Sequence, residues 1–256
     1  MWNLSLRELR TRYRKSFLGW FWSLLNPLST VAIYSFVFGI LFKATAPPGD
    51  PSGLTVFALY MLSALLPWSF FGLVTNLGMN SLLSYAGMVK KVAIEREVIV
   101  YSQVIFGLVQ HSIEMSLLVV VLLIVGSPLV PWIPVTLLMM LLLGCFAAGI
   151  ALCLSVWAVY FRDLNYLWGV LLQMWFFATP IVYDPSLLDG RVPEWVISIY
   201  DWNPMNVFVR SFRHTMYDGR GPRAIDVAIM FLFAIGSLLA GRFFFRRGTR
   251  RLAEEL

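Results

Sequence analysis

Charged residues are scarce in this chain. Asp, Glu, Lys and Arg make up 13% of its 256 residues, where a soluble domain carries about 25%, and 59% are hydrophobic. With a mean hydropathy of +0.75 this excludes an ordinary water-soluble fold and predicts a multi-span membrane protein. Only two cysteines occur, Cys145 and Cys153, eight apart inside an uncharged apolar run, so a disulfide between them across two turns of one helix is geometrically excluded and they read as packing residues. The two histidines, His111 and His214, are too few and too far apart for a zinc cluster, and no metal site is expected. None of the four lysines (Lys15, Lys43, Lys90, Lys91) follows a glycine, so there is no Walker A loop for ATP. GxSxG and HExxH are also missing, and hydrolase and metalloprotease chemistry fall away with them. A small-residue cleavage site is lacking after the first apolar stretch, so the N-terminus is not expected to be a cleaved signal.

What is present is apolar sequence in bilayer-sized lengths. A hydrocarbon core about 30 Å thick needs roughly 20 mostly apolar residues as helix. Six stretches qualify: Leu25 to Phe42, Leu54 to Leu77, Val98 to Val125, Pro134 to Tyr160, Leu164 to Tyr183 and Ile225 to Phe245. The expected fold is therefore all-α, a single transmembrane domain over residues 1–256 with six transmembrane helices. Between the spans lie a Pro/Gly turn (Ala46 to Gly53), a polar and charged connection (Gly78 to Glu97), a tight turn (Gly126 to Pro131), the pair Arg162 and Asp163, and a long segment from Asp184 to Arg223.

The net charge of +6 is concentrated at the two ends, Arg7 to Lys15 and Arg242 to Arg251, beside apolar spans, which favours anionic lipid over nucleic acid as partner. In the first 22 residues Leu6, Leu9, Tyr13 and Phe17 recur near helical spacing, while Arg7, Arg10, Arg12, Arg14 and Lys15 crowd the other faces. That pattern predicts an amphipathic helix in the headgroup layer, with Trp20, Phe21 and Trp22 at interfacial depth. With the N-terminus inside, fourteen of the twenty Lys and Arg fall on inner segments, so both termini are expected in the cytoplasm. The outer segment 184–223 is apolar in part (Trp195, Ile197, Ile199, Tyr200, Trp202, Phe208, Phe212), which predicts short re-entrant or interfacial helices between spans five and six, broken at Pro193 and Pro204.

Away from the span ends, ionisable groups reduce to His111 and Glu114, three apart on one face of the third. They read either as a polar pore contact or proton site, or as a mutually satisfied pair at a helix interface, since a lone Glu at mid-bilayer costs roughly 2.5 to 3.5 kcal/mol.

Three separated blocks resemble one known family. Arg12 to Pro27 reads RYRKSFLGWFWSLLNP; Leu65 to Glu97 reads LLPWSFFGLVTNLGMNSLLSYAGMVKKVAIERE; Val159 to Tyr183 contains YFRDLNYLWGVLLQMWFFATPIVY, with Asn203 and Pro204 downstream. Together they resemble the polysaccharide-export branch of the ABC-2 type permeases, the Wzm and TagG-like proteins. The resemblance implies a homodimer of this chain joined to two copies of a nucleotide-binding ATPase subunit. That subunit binds ATP and Mg, and this chain itself carries no cofactor and performs no bond chemistry. The connection between spans two and three (78–97) is then the ATPase-coupling region, with Met88, Val89, Lys90, Lys91, Val92, Ile94, Glu95, Arg96 and Glu97 as its docking residues. At Ile94-Glu95 the chain departs from the family's usual Phe-Pro.

The family function is export of a lipid-linked cell-surface polysaccharide, such as O-antigen, galactan or teichoic acid, across the bacterial cytoplasmic (inner) membrane. Tyr34, Phe38, Trp68, Phe70, Phe71, Trp168, Trp175 and Phe176 are the candidates for an aromatic translocation path, because ring faces stack on sugars without fixed charge; the same rings also suit contact with lipid. Arg7, Arg10, Arg12, Arg14 and Lys15 suit lipid phosphates and a substrate's pyrophosphate headgroup alike. Two rival readings remain open here. One is an ABC-2 permease for drugs or small lipids. The other is a membrane-embedded enzyme of glycan assembly, for which Asp184, Asp189, Glu194 and Asp201 are the acidic groups on hand.

Overall fold

A computed structural model describes residues 21–41, 46–87, 95–188, 190 and 192–249, and among them all regular structure is helical. The elements are α1 (Phe21–Tyr34), continued by a π-helical turn (Ser35–Leu41), α2 (Phe57–Ser84), α3 (Arg96–Val125), α4 (Ile133–Tyr160), α5 (Leu164–Phe177), α6 (Glu194–Asp201), α7 (Pro204–Arg213), followed by a second π-helical turn (His214–Asp218), and α8 (Ala224–Gly248). The predicted interfacial helix over 1–22 lies outside the described residues except for Phe21 and Trp22, which open α1; Met88 to Ile94, in the connection after α2, also lie outside the described residues.

Among the described residues four helices are long and apolar enough to cross a bilayer: α2, α3, α4 with the 3-10 turn before it, and α8. They contain 28, 30, 28 and 25 residues, each beyond the roughly 20 that a hydrocarbon core requires. Local chemistry sets their ends. Gly126, at a φ of 92°, turns its amide back onto the carbonyls of Leu122 and Leu123 and closes α3. Pro131 and Pro134 lie in the turn where α4 begins, which costs no hydrogen bond there.

The first and fifth predicted spans are shorter. Leu25 to Phe42 corresponds to α1 and its π-helical turn, and Leu164 to Tyr183 holds only the 14 residues of α5. At 1.5 Å per residue, α5 reaches about 21 Å, short of the roughly 30 Å core. It stops because Pro180 cannot continue a helix, and the freed Ala178 carbonyl accepts a hydrogen bond of 3.0 Å from Asn203 Nδ2. Helical sequence resumes where the prolines predicted: α6 starts directly after Pro193, and α7 carries Pro204 in its first turn.

The core lies between α2 and α4. Two-thirds (67%) of the most apolar window of each is buried, against 28% for α3 and 22% for α8, so the latter pair presents most of its surface outward. Small residues permit the close packing. A Cβ on Gly78 would meet Ala151, one on Gly107 would meet Val74, and one on Gly149 would overlap the backbone of Ser237. Several buried hydroxyls are satisfied within their own helices, Ser63 on the Tyr60 carbonyl (2.7 Å), Ser81 on Gly78 (2.6 Å) and Ser155 on Leu152 (2.8 Å), leaving those helix faces apolar. Glu114 finds its partner one turn away: Gln110 Nε2 donates to it at 3.0 Å. His111 is not that partner; its ring stacks on Phe70 at 4.8 Å, and neither nitrogen has a hydrogen-bond partner.

Candidate functional site

The aromatic residues singled out from sequence divide into two groups. Trp68, Phe71, Trp168, Trp175, Phe176 and Tyr34 form one continuous seam, through centroid distances of 5.9 Å (Trp68–Phe71), 5.3 Å (Phe71–Trp175), 6.5 Å (Phe71–Trp168), 5.8 Å (Trp68–Phe176) and 6.5 Å (Tyr34–Phe176). Phe70, one residue from Phe71 and so rotated about a quarter-turn around α2, faces α3 and His111 instead. Phe38 lies in the π-helical turn, and its side chain is outside the described set. Within a single chain the seam is packed. Phe71 is 0% exposed and Trp68 and Trp168 are buried, while Tyr34, Trp175 and Phe176 are partly covered and carry the seam to the surface.

The polar ends of the indoles are anchored. Trp168 Nε1 donates to Thr75 Oγ1 at 3.2 Å and Trp175 Nε1 to Asn203 Oδ1 at 2.7 Å. Asn203 is a hub: the same side chain accepts from Met205 N (3.0 Å), capping α7, and donates to Thr179 Oγ1 (3.1 Å). The Asn-Pro pair therefore ties the end of α5 to the start of α7 beside the seam.

At the other end of the long helices, the described part of the coupling region is held by α8. Glu97 pairs with Arg246 (3.0 Å) and Arg242 (3.4 Å), and Arg96 Nη1 donates to the Thr249 carbonyl (2.6 Å). Glu95 is exposed at the entry to α3. Met88, Val89, Lys90, Lys91, Val92 and Ile94, like the basic residues Arg7, Arg10, Arg12, Arg14 and Lys15, are outside the described residues. Arg96 and Glu97 thus fasten the start of α3 to the end of α8.

A family model for the ABC-2 type transporter matches residues 1–217. The chain belongs to the ABC-2 type transporter family. It is 28% identical over 254 residues to the O-antigen export system permease protein RfbA of Myxococcus xanthus, covering 94% of this chain and 91% of that one. It is 25% identical over 251 residues to a protein of the same name in Klebsiella pneumoniae (98% and 92% covered), and 22% identical over 245 residues to the polysialic acid transport protein KpsM of Escherichia coli (95% and 91% covered). As an ABC-2 type chain, the molecule is a transport subunit of a membrane, with the long apolar helices as its bilayer elements.

This ABC-2 chain also holds a polar cluster that the sequence did not single out. Loop 46–54, the end of α7, the following turn and the start of α8 meet around Arg213, which is 7% exposed and lies 3.7 Å over the Tyr60 ring. Tyr217 Oη donates to the carbonyls of Leu54 (2.6 Å) and Pro47 (3.0 Å), stitching loop 46–54 to the turn after α7. Burial pushes the Tyr217 hydroxyl up to about 12 and the His214 imidazole down to about 4, the latter helped by the Arg220 guanidinium, so both are uncharged at neutral pH. Burial raises the Asp218 carboxyl, and Arg220 opposes it. Near-equal numbers of Arg and Asp in segment 184–223 were the one sequence signal of this cluster.

Proposed function

We propose that this chain is the membrane permease of an ABC exporter that carries a lipid-linked cell-surface polysaccharide, of the O-antigen kind, across the bacterial cytoplasmic membrane. The observation that carries the reading is the end-to-end similarity to permeases named for O-antigen export and polysialic acid transport, over more than nine-tenths of this chain. ATP, with Mg, is hydrolysed on a partner ATPase, two copies of which serve a homodimer of this chain. The partner docks on Met88 to Glu97. The Glu97 ion pairs with Arg242 and Arg246 support this, because they tie the docking segment to the last helix and give a stroke something to move.

The chain crosses the bilayer six times with both termini inside, α1 with its π-helical turn and α5 being the short first and fifth spans and α6 and α7 re-entrant from the outside. The fully buried apolar face of α7 (Met205, Phe208, Phe212) supports a helix inserted among the spans. The exposed face of α5, with Tyr166 at 82% and Leu167, Val170 and Met174, is the surface for the second copy. The glycan passes between the two copies along the partly exposed edge of the seam, Tyr34, Trp175 and Phe176.

The test is deletion of the gene with measurement of surface polysaccharide. Loss of surface glycan with accumulation of lipid-linked glycan inside, restored by the intact chain together with its ATPase, is expected. Unchanged surface glycan with loss of a small-molecule efflux activity would overturn the reading.

A further inference from the structure

At the end of the molecule opposite the coupling region, the outer polar cluster encloses a cavity of about 390 Å³, within the roughly 300 to 1,000 Å³ typical of small-ligand sites. Its floor is Arg213 and Tyr60, its walls are Asp184, Asn206, His214 and Arg223, and Pro47, Pro48, Pro180 and Pro185 supply an apolar rim. The buried guanidinium is only half used. One nitrogen, Nη2, donates to the carbonyls of Pro180 (2.8 Å) and Ile181 (3.0 Å), while Nε is buried without a partner, and among the described residues no carboxylate lies within ion-pair distance. His214 Nδ1, beside it in the wall, is likewise buried and unpartnered. Both unpaired atoms are themselves closed off from the cavity, so what a ligand meets is the remaining edge of the Arg213 guanidinium together with Arg223, Asp184 and Asn206.

The charge pattern identifies the ligand class. Arg210 is bound to Asp226 at 2.6 Å and Arg220 to Asp218 at 3.2 Å, and Asp184 stands in the wall against Arg213 and Arg223, so the lining is close to neutral. A bare anion gains little from such a field. Hydroxyl groups both donate and accept, and a ring that carries them on an apolar carbon frame matches alternating donors, acceptors and proline faces. We propose that this cavity binds one hydroxylated sugar residue, held by Arg213, Arg223 and Asp184 on the outer side of the membrane. This rests on the export reading for its direction: a sugar held there has already crossed, and its retention opposes backward slippage of the chain.

The test uses the full chain in lipid nanodiscs and the methyl glycosides of galactose, mannose and N-acetylglucosamine, with inorganic phosphate as the charged control, followed by saturation-transfer NMR. At least one glycoside should bind the intact protein. Binding should weaken about tenfold or more in Asp184→Asn and Arg223→Ala, which lose hydrogen bonds to the sugar but none to the α2–α4 core, with an unchanged melting temperature. Arg213→Lys keeps the charge and is expected to bind more weakly than the intact protein. Failure of every glycoside to bind, binding of phosphate alone, or equal binding in both wall variants would overturn the proposal. Surface glycan in the deletion strain reports separately on export, so a bound glycoside with unaffected surface glycan would sink the export reading and leave the cavity's sugar binding standing.

Discussion

The crossing of α4 and α8 makes a sharp prediction, because two glycines on it face opposite energetic demands from a third on the same helix. Gly149 and Gly241 sit where the two backbones touch: a Cβ on Gly149 would overlap the Ser237 carbonyl, and one on Gly241 would overlap the Gly149 carbonyl. Gly236, five residues before Gly241 and so turned onto another face of α8, has open space where its Cβ would go. Replacing a helical Gly by Ala favours the helix by about 1 kcal/mol when nothing obstructs the methyl. At Gly149 the obstruction is backbone on both sides, so the helices must separate. Overpacking of this kind costs about 1 to 3 kcal/mol. Separation also strains the 3.1 Å hydrogen bond from Ser237 Oγ to the Phe146 carbonyl, for which about 0.6 kcal/mol is typical between membrane helices. Gly149→Ala and Gly241→Ala should thus lower stability by about 1 to 2 kcal/mol net, Gly149→Val by more, and Gly236→Ala should be neutral or stabilising. Thermal unfolding of the three alanine variants in one detergent, followed by size-exclusion chromatography, checks the order. Stabilisation by Gly149→Ala equal to that by Gly236→Ala would refute the idea that this crossing is held at backbone contact.

Asn203→Ala removes the cap of α7 and the partners of Trp175 and Ala178 together, and should cost about 2 kcal/mol or more, read as a lowered melting temperature; an effect below about 0.5 kcal/mol would mean that the hub is dispensable. Asp226→Asn breaks the pair with Arg210, whose buried member is the Asp (1% exposed), and should destabilise by about 2 to 4 kcal/mol, less than a fully buried pair because Arg210 is part exposed. Glu97→Gln is expected to change stability by less than about 1 kcal/mol, its partners being half exposed, while lowering export per ATP hydrolysed in reconstituted vesicles; unchanged coupling would place the path of the stroke elsewhere. His214 has a folded pKa of about 4 against an ordinary 6.5, so its contribution is fully present above pH 6.5 and lost as pH falls from there through about 4; melting temperature should drop over that window, and His214→Gln should flatten the drop. Arg210, Arg220 and Arg223 lower this pKa and Asp226 opposes them, while the raised Asp218 acts with the opposite sign closer to its own lower range.

Much of the architecture was legible because the bilayer imposes long, simple signals. Leu54 to Leu77, Val98 to Val125, Pro134 to Tyr160 and Ile225 to Phe245 each contain the apolar heart of a long helix, with Gly126 and Pro131 marking the turn between α3 and α4. Helix ends were less legible. Gly78 to Ser84 read as polar connection, yet Gly78 packs on Ala151 and Ser81 returns its hydroxyl to its own helix, so α2 continues to Ser84. Polar residues hidden by small-residue packing and intrahelical hydrogen bonds do not interrupt a span. Of the two readings open for His111 and Glu114, the mutual pair does not form: i to i+4 geometry brings Gln110 to Glu114, while His111 turns to Phe70.

The sequence by itself determined the membrane class, the family, the positions of the long helices and the two prolines at which α6 and α7 begin, because hydropathy, motif and backbone restriction are local properties. Tertiary structure decided which neighbouring aromatic joins the seam, Phe71 rather than Phe70, and which glycines form the α4–α8 crossing. It also decided that Glu97 meets Arg242 and Arg246 across 145 and 149 residues, and that Arg213, Tyr60 and Asp184 share one cavity. These are contacts between segments far apart in the chain, set by how helices rotate and pack against one another, and no local pattern encodes that rotation.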